Sequence, residues 1–289
     1  SATLASGAGG GLPLAGLISE HMDWHAIFWV TAVAGSVMLG AVWVVLDESP
    51  VVTRGSFDYR GAVLLSAALT AVLLTLSKGG SWGWTSPTTV VLATVGVVLV
   101  VLWVPLQLRV PNPLVDVRVA ARPAVLLVNL ISVLTGFAMF ANMLATTQQL
   151  QLPAASGYGL GLGVLETGLW MAPTALVFGA MAPVAATIIR RFGPLVALFA
   201  GTLVMSGAYV ARVFLTDSLW QVVTGATLVA VGTSVAYAAM PTLIMRAVPV
   251  TETASANGLN TLLRSIGTSA SSATMAAVAT IGVIRVDGE

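Results

Sequence analysis

The sequence predicts an all-α fold, a polytopic transmembrane helical bundle, and three observations carry that prediction. Of its 289 residues, 57% are apolar and only 8% are charged, roughly a third of the charge that covers a soluble domain. Mean hydropathy is +0.96. The apolar residues also gather into runs close to the 20 or so that a helix needs to cross a bilayer core. A water-exposed enzyme is excluded by so little charge, and disorder by so much apolar surface. With 12 basic and 11 acidic side chains, a net charge of +1, the chain has no footprint for nucleic acid.

The elements follow in order. Residues 1–19 are Gly-rich and apolar and read as a partial span, so the chain is expected to begin partway through a helix, as a fragment. Eight further segments approach or reach spanning length: 26–46, 60–77, 88–108, 123–148, 164–189, 194–214, 218–245 and 261–284. The breaks between them carry Pro, Gly or charge, as at Asp47 to Pro50, Lys78-Gly79-Gly80, Arg109 to Arg122, Pro153 to Gly163, Arg190 to Gly193, Asp217, and Arg246 to Glu252. Pro13, Pro173, Pro183 and Pro241 fall inside apolar segments, where membrane helices tolerate them.

Taking alternate connections as one side, Arg54, Arg60, Arg109, Arg118, Arg122, Arg190, Arg191, Arg246 and Arg264 fall together, nine against the three of Lys78, Arg212 and Arg285. Basic loops mark the cytoplasmic side. The Glu20–His25 loop and the Trp82/Trp84 loop then face outward.

Two segments carry polar stripes. Ser132, Thr135, Met139, Asn142, Thr146 and Gln149 recur at steps of 3 and 4, which places them on one helix face. Asn257, Asn260, Arg264, Thr268, Ser271 and Met275 do the same near the C-terminal end, beside a small-residue row at Ser265, Ser269, Ala273 and Ala277 suited to close helix packing. Such stripes serve either as interhelical ties or as the lining of an aqueous path. Their length, most of a membrane crossing, favours a path, with Asn142 and Thr146 sharing a water-filled face with Asn260 and Arg264.

Other candidates stand singly. Glu166 lies at the outer end of 164–189, as a cation-attracting group or as a helix cap. Arg264 is an anion partner or a snorkelling arginine. Trp170, Phe140, Met139 and Tyr237 suit an aromatic, Met-rich surface for varied apolar ligands, or ordinary packing. His21 and His25, with Glu20 and Asp23, suit a metal-binding or pH-sensing loop, or one that is only solvated or interfacial, and the second reading is preferred for so short a loop. The chain has no cysteine, and no nucleophile–base pair or His/acid cluster at membrane depth points to an enzyme, a metal or a cofactor. No ring of charges suggests a channel.

The run of Gly7 to Gly16, with Gly7, Gly11, Pro13 and Gly16 at its key positions, followed by Trp24-His25-Ala26-Ile27-Phe28-Trp29, resembles the fifth-span antiporter motif and sixth-span start of the major facilitator superfamily, in its drug/proton antiporter branch with fourteen spans. Further stretches resemble later parts of that branch in order. Asp58-Tyr59-Arg60-Gly61 resembles the start of its seventh span, and Pro111-Asn112-Pro113-Leu114-Val115-Asp116 the loop after its eighth. Thr146 to Gln151 resembles the end of the ninth span, Glu166 to Pro173 the tenth, and Ala256-Asn257 through Arg264 and Gly267 the thirteenth. The resemblance implies that 1–46 ends a first six-helix half. Residues 47–122 would form two linker spans with cytoplasmic loops, and 123–289 most of a second half.

It further implies a secondary transporter in the plasma (inner) membrane of a bacterium. Such a protein exports drug-like or amphipathic compounds by alternating access, with protons as coupling ion. The implied partners are a small-molecule substrate, protons, the lipid bilayer and the missing remainder of its own chain. Proton coupling comes from the resemblance alone. A non-transporting membrane scaffold, or a transporter of the same superfamily for a lipid or metabolite, are the alternatives.

Overall fold

The computed structural model describes residues 14, 17, 18, 22, 23, 25–45, 57–157, 159–216 and 218–286, without the side chains of 155 and 277–286. The motif residues Gly7, Gly11, Pro13 and Gly16 lie outside the described residues. Among the described residues, nine α-helices are bounded: α1 His25–Val45, α2 Tyr59–Trp82, α3 Pro87–Arg109, the short α4 Val117–Ala120, α5 Pro123–Gln151, α6 Val164–Phe192, α7 Pro194–Arg212, α8 Leu219–Ala247 and α9 Thr253–Val286. Among the described residues, α1, α2, α3, α5, α6, α7 and α8 are long and apolar enough to cross a membrane. The eighth expected span, 261–284, lies within α9, the least apolar of the long helices, and is not among those seven.

Local chemistry sets the helix starts. Asp58 accepts from the Gly61 amide, Ser86 from Thr89 and Ser218 from Gln221, so each N-cap side chain satisfies an amide that the helix leaves open. Pro87, Pro123 and Pro194 occupy first-turn positions, where a missing N–H costs nothing. Gly193, at φ +89°, reverses the chain between α6 and α7 in one residue. Two breaks expected from sequence are refined. Lys78-Gly79-Gly80 stays helical to Trp82, because the Trp84 ring folds back onto Gly79 and covers it. The Arg109–Arg122 connection holds α4, capped by Asp116. Pro173, Pro183 and Pro241 sit inside continuous helices.

The most buried span is α8, packed against α5, α6 and α7, while α5 and α9 form a second intimate pair. Both pairings depend on glycine. A Cβ on Gly267 would lie 2.0 Å from the Val133 carbonyl oxygen, and one on Gly136 would lie 2.4 Å from that of Arg264. Gly201 and Gly232 play the same part between α7 and α8, where a Cβ on Gly232 would lie 2.4 Å from the Met205 nitrogen. The expected small-residue row is packed only in part: Ala273 is buried, Ser269 half-buried and Ser265 exposed. Buried positions of α9 are Ala256, Asn260, Gly267, Ser271 and Ala273, so the seam takes in Asn260 and Ser271 of the polar stripe and one residue of the small row.

A separate hairpin, α2–α3, packs through α2 onto α9. Its base is a compact polar knot. Asp58 Oδ2 accepts from Gln107 Nε2 at 2.6 Å, Gln107 Oε1 accepts from the Val115 amide at 3.2 Å, and Trp103 Nε1 donates to the Gly61 carbonyl at 3.0 Å. Any side chain at Gly61 would collide with Asp58 and Gln107. By contrast α1 buries none of its residues.

Burial pushes the Asp58 carboxyl up, but hydrogen bonds from Gly61, Gln107 and Leu114, with Arg60 nearby, outweigh it and hold the pKa below the ordinary carboxylate value. A depressed carboxylate stabilises the fold above its unfolded pKa and loses that contribution as pH falls through the lower folded value. Thermal melting in detergent should therefore show an acid-side loss confined to pH below the usual carboxylate range, and Asp58→Asn should flatten that limb. An identical acid limb in both proteins would remove Asp58 from the account.

The glycine crossings generate a second prediction. Gly267→Leu should abolish monodisperse folded protein, because main chain cannot yield to a side chain that would overpack by about 3 kcal/mol or more. Gly258→Ala, in open space on the same helix, should gain roughly 0.5–1 kcal/mol. Size-exclusion profiles and melting temperatures of the two variants check this.

Candidate functional site: a polar interior and a cation–aromatic face

Two polar clusters lie inside the bundle. Asn260 on α9 donates from Nδ2 to Asn129 Oδ1 at 3.0 Å and to Ser132 Oγ at 2.6 Å, both on α5. Ser132 in turn donates to Met240 Sδ on α8 at 3.0 Å. Asn129, Ser132 and Asn260 are all buried, so three helices are tied where no water reaches. Arg122 adds a tie nearby, donating to the Ala247 carbonyl at 3.2 Å.

The second cluster lies towards the far end of α5. Asn142 Nδ2 donates to the Ala226 carbonyl on α8 at 3.2 Å, and its Oδ1 accepts from the Arg212 guanidinium at the end of α7. The Tyr209 hydroxyl, one turn back on α7, donates to the Ala138 carbonyl of α5. The alkyl stem of Arg212 lies over Gly225, where a Cβ would meet its Cγ at 2.7 Å. Among the described residues Arg212 has no acidic partner in any ion pair. Its charge is held by an amide dipole.

This arrangement differs from the expected water-filled face of Asn142 and Thr146. Asn142 is covered by α8, and Thr146 donates to the Asn142 carbonyl at 2.6 Å in its own helix. Thr135 is likewise fully buried, with its hydroxyl unpaired. Ser132, Asn142 and Asn260 thus bond between helices, while Thr135 and Thr146 are buried beside them without an interhelical hydrogen bond, because α8 and α9 cover the α5 stripe.

The remaining candidates reach the surface. Arg264 stacks over Tyr237, its Cζ 4.0 Å from the ring centroid. Tyr237 meets Phe178 edge to face, with centroids 6.2 Å apart. Ser234 donates to the Phe178 carbonyl at 2.7 Å and fixes that part of α6 against α8. Arg264, Tyr237 and Phe178 are each partly exposed, which makes a cation–aromatic face across α6, α8 and α9. Met139, Gln149 and Thr268 are also partly exposed. Thr268 donates back to Ser265 at 2.8 Å within α9.

At the opposite end of α6, Trp170 and Trp220 pack edge to face at 4.8 Å. Glu166 is exposed and accepts from the Gly163 amide at 3.2 Å, so it caps α6. His25 pairs with Asp23 at 2.7 Å on the surface, while His21 and Glu20 lie outside the described residues.

Asn129, Tyr209, Arg212 and Phe178 were not singled out from sequence. Asn129 extends the α5 stripe by one step of three, and Tyr209 and Arg212 share a face three residues apart, so those signals were present. Nothing local marks Phe178, whose partner lies 59 positions away on α8.

The burial pattern separates two amides of one stripe. Asn142→Leu should leave the Arg212 guanidinium and the Ala226 carbonyl without this partner, a loss of about 1–3 kcal/mol, and so cut the yield of folded protein. Adding Arg212→Met should recover most of that yield, whereas Gln149→Leu should leave it unchanged. Fluorescence-detected size exclusion measures all three. Normal yield for Asn142→Leu alone would contradict the tie.

Residues 1–272 match the sequence profile described as the Major Facilitator Superfamily. The chain is similar to the multidrug resistance protein Stp of Mycobacterium tuberculosis, 27% identical over 269 residues that make up 93% of this chain and 49% of Stp. It is 28% identical over 188 residues to the lincomycin resistance protein LmrB of Bacillus subtilis, covering 64% of this chain and 38% of LmrB. It is also 26% identical over 195 residues to the tetracenomycin C resistance and export protein of Streptomyces glaucescens, covering 67% of this chain and 35% of that protein. The chain therefore spans between a third and a half of the length of these relatives. A match over most of the sequence, on a bundle of helices long and apolar enough to cross a membrane, makes this chain an integral membrane protein that belongs to the Major Facilitator Superfamily.

Proposed function

We propose that these residues form part of a secondary active transporter of the fourteen-span drug/proton antiporter branch, which exports drug-like or amphipathic compounds from a bacterium across its plasma membrane. In this reading residues 1–46 end the first six-helix half, 47–122 supply two linker spans, and 123–289 form most of the second half. The arginine-rich loops lie in the cytoplasm. Alternating access then proceeds by rocking of the two halves about a site between them.

The observation that carries the reading is the face of Arg264, Tyr237 and Phe178. The amides of Asn142 and Asn260, deeper in the bundle, are spent on other groups of the protein, whereas Tyr237, Phe178 and Arg264 on this face stay partly open. Aromatic rings contact many apolar shapes, and the guanidinium adds a donor set for electronegative groups on a ligand. Met139 and Gln149, partly exposed on α5, extend the candidate pathway. The resistance and export functions named for the relatives support the substrate class, and proton coupling follows from the branch.

In a drug-hypersensitive bacterium, the transporter containing these residues should lower accumulation of a planar aromatic dye, and a protonophore should abolish that effect. Tyr237→Leu should reduce efflux roughly five-fold, the loss expected from one cation–π contact of about 1 kcal/mol, at unchanged protein level. Efflux that persists without a proton gradient would overturn the coupling, and normal efflux by both Tyr237→Leu and Arg264→Gln would overturn the site. A protein that never lowers accumulation would favour a scaffold.

A further inference from the structure

The α2–α3 hairpin carries a groove that plays no part in the transport reading. Its volume is about 520 Å³, and Leu74 and Trp82 of α2 line it with Thr88, Val91 and Val95 of α3. The lining runs from residue 74 to 82 of α2 and from 87 to 95 of α3, nine residues of each helix, roughly 12 Å along the axes. It lies at the end of the hairpin away from the Asp58–Gln107 knot. Both walls belong to helices apolar enough to lie in a bilayer. The Thr88 hydroxyl and the Trp82 indole N–H are the polar side-chain groups among these five residues.

Lys78 stands four residues from both Leu74 and Trp82, so it shares their helix face and sits beside the groove, outside its lining. It is the single lysine of the sequence, it is exposed, and no described acid forms an ion pair with it. Its stem can follow the apolar wall while its ammonium reaches the headgroup layer. An amphipathic cation would be repelled by this charge, and α1 contains no acidic residue that could complement it. We propose that the groove is a binding site for an anionic phospholipid, one acyl chain lying between α2 and α3 and the phosphate pairing with Lys78.

The test uses the full chain in nanodiscs of mixed phosphatidylglycerol and phosphatidylcholine, with a trace of either lipid bearing a photoreactive acyl chain. Adducts are mapped by mass spectrometry. Labelling should concentrate in residues 74–95 and favour the anionic lipid roughly five-fold, the preference that one lysine near a charged surface provides. Lys78→Ala should erase the headgroup preference and Lys78→Arg should keep it. Val91→Trp should fill the groove and lower labelling there by both lipids, with no change on the exposed face of α7. Equal labelling of α2–α3 and α7, a preference that survives Lys78→Ala, or no labelling of the groove because another helix covers it would each overturn the proposal.

Discussion

Main chain meets main chain where α5 crosses α9 and where α7 crosses α8, and the rest of the bundle is arranged around those two contacts. In lipid, apolar side chains gain little by leaving one hydrocarbon environment for another, so close packing and hydrogen bonds have to hold helices together. Gly136 and Gly267 make the first contact possible, and Gly201 and Gly232 the second. The first has a direct consequence for the site. Because Gly136 sits under the Arg264 backbone, α9 lies flat on α5 there, and the Arg264 side chain leaves the seam towards Tyr237.

Once the helices are that close, each polar group in the seam must find a partner or leave an unpaired dipole in a low-dielectric interior. Asn260 meets this demand with Asn129 and Ser132, and Asn142 with Ala226 and Arg212. The Arg212 arrangement is the costlier of the two, since an amide offers a dipole where an acid would offer a full charge. Its position at the end of α7 eases that cost by leaving the guanidinium partly exposed. These ties hold α5 to α8 and α9 at one level and to α7 and α8 at another. The partly exposed cation–aromatic face thus rests on helices fixed from behind, as the proposed substrate site requires.

The α2–α3 hairpin is organised by a different device. Asp58, Gln107, Trp103 and the loop to Val115 close a hydrogen-bonded ring at one end, with Gly61 at its centre because no other residue fits. That ring gives physical content to two short motifs, Asp58-Tyr59-Arg60-Gly61 and the Pro111–Asp116 loop, that are distant in sequence and adjacent in space. Towards the other end the hairpin leaves its groove open beside Lys78.

Composition and periodicity were enough to give the class of fold, the existence and order of the long helices, and the residue types that would face other helices, because all of these depend on neighbours within a few turns. The α5 stripe was legible for the same reason, since steps of 3 and 4 define a face whatever lies opposite it. What lies opposite it was not legible. Asn142 and Gln149 belong to one stripe and have the same amide chemistry, yet one is sealed against α8 and Arg212 while the other is half open. Gly79 and Gly80 looked like a break until Trp84 folded onto the first of them. Ser265, Ser269 and Ala273 form one row in sequence, yet of these three only Ala273 is fully buried, since Gly267 brings α5 to the face beside Ser265. Local sequence sets what a side chain can do, and the tertiary structure decides which of those things it does, because burial and partner are properties of the facing helix.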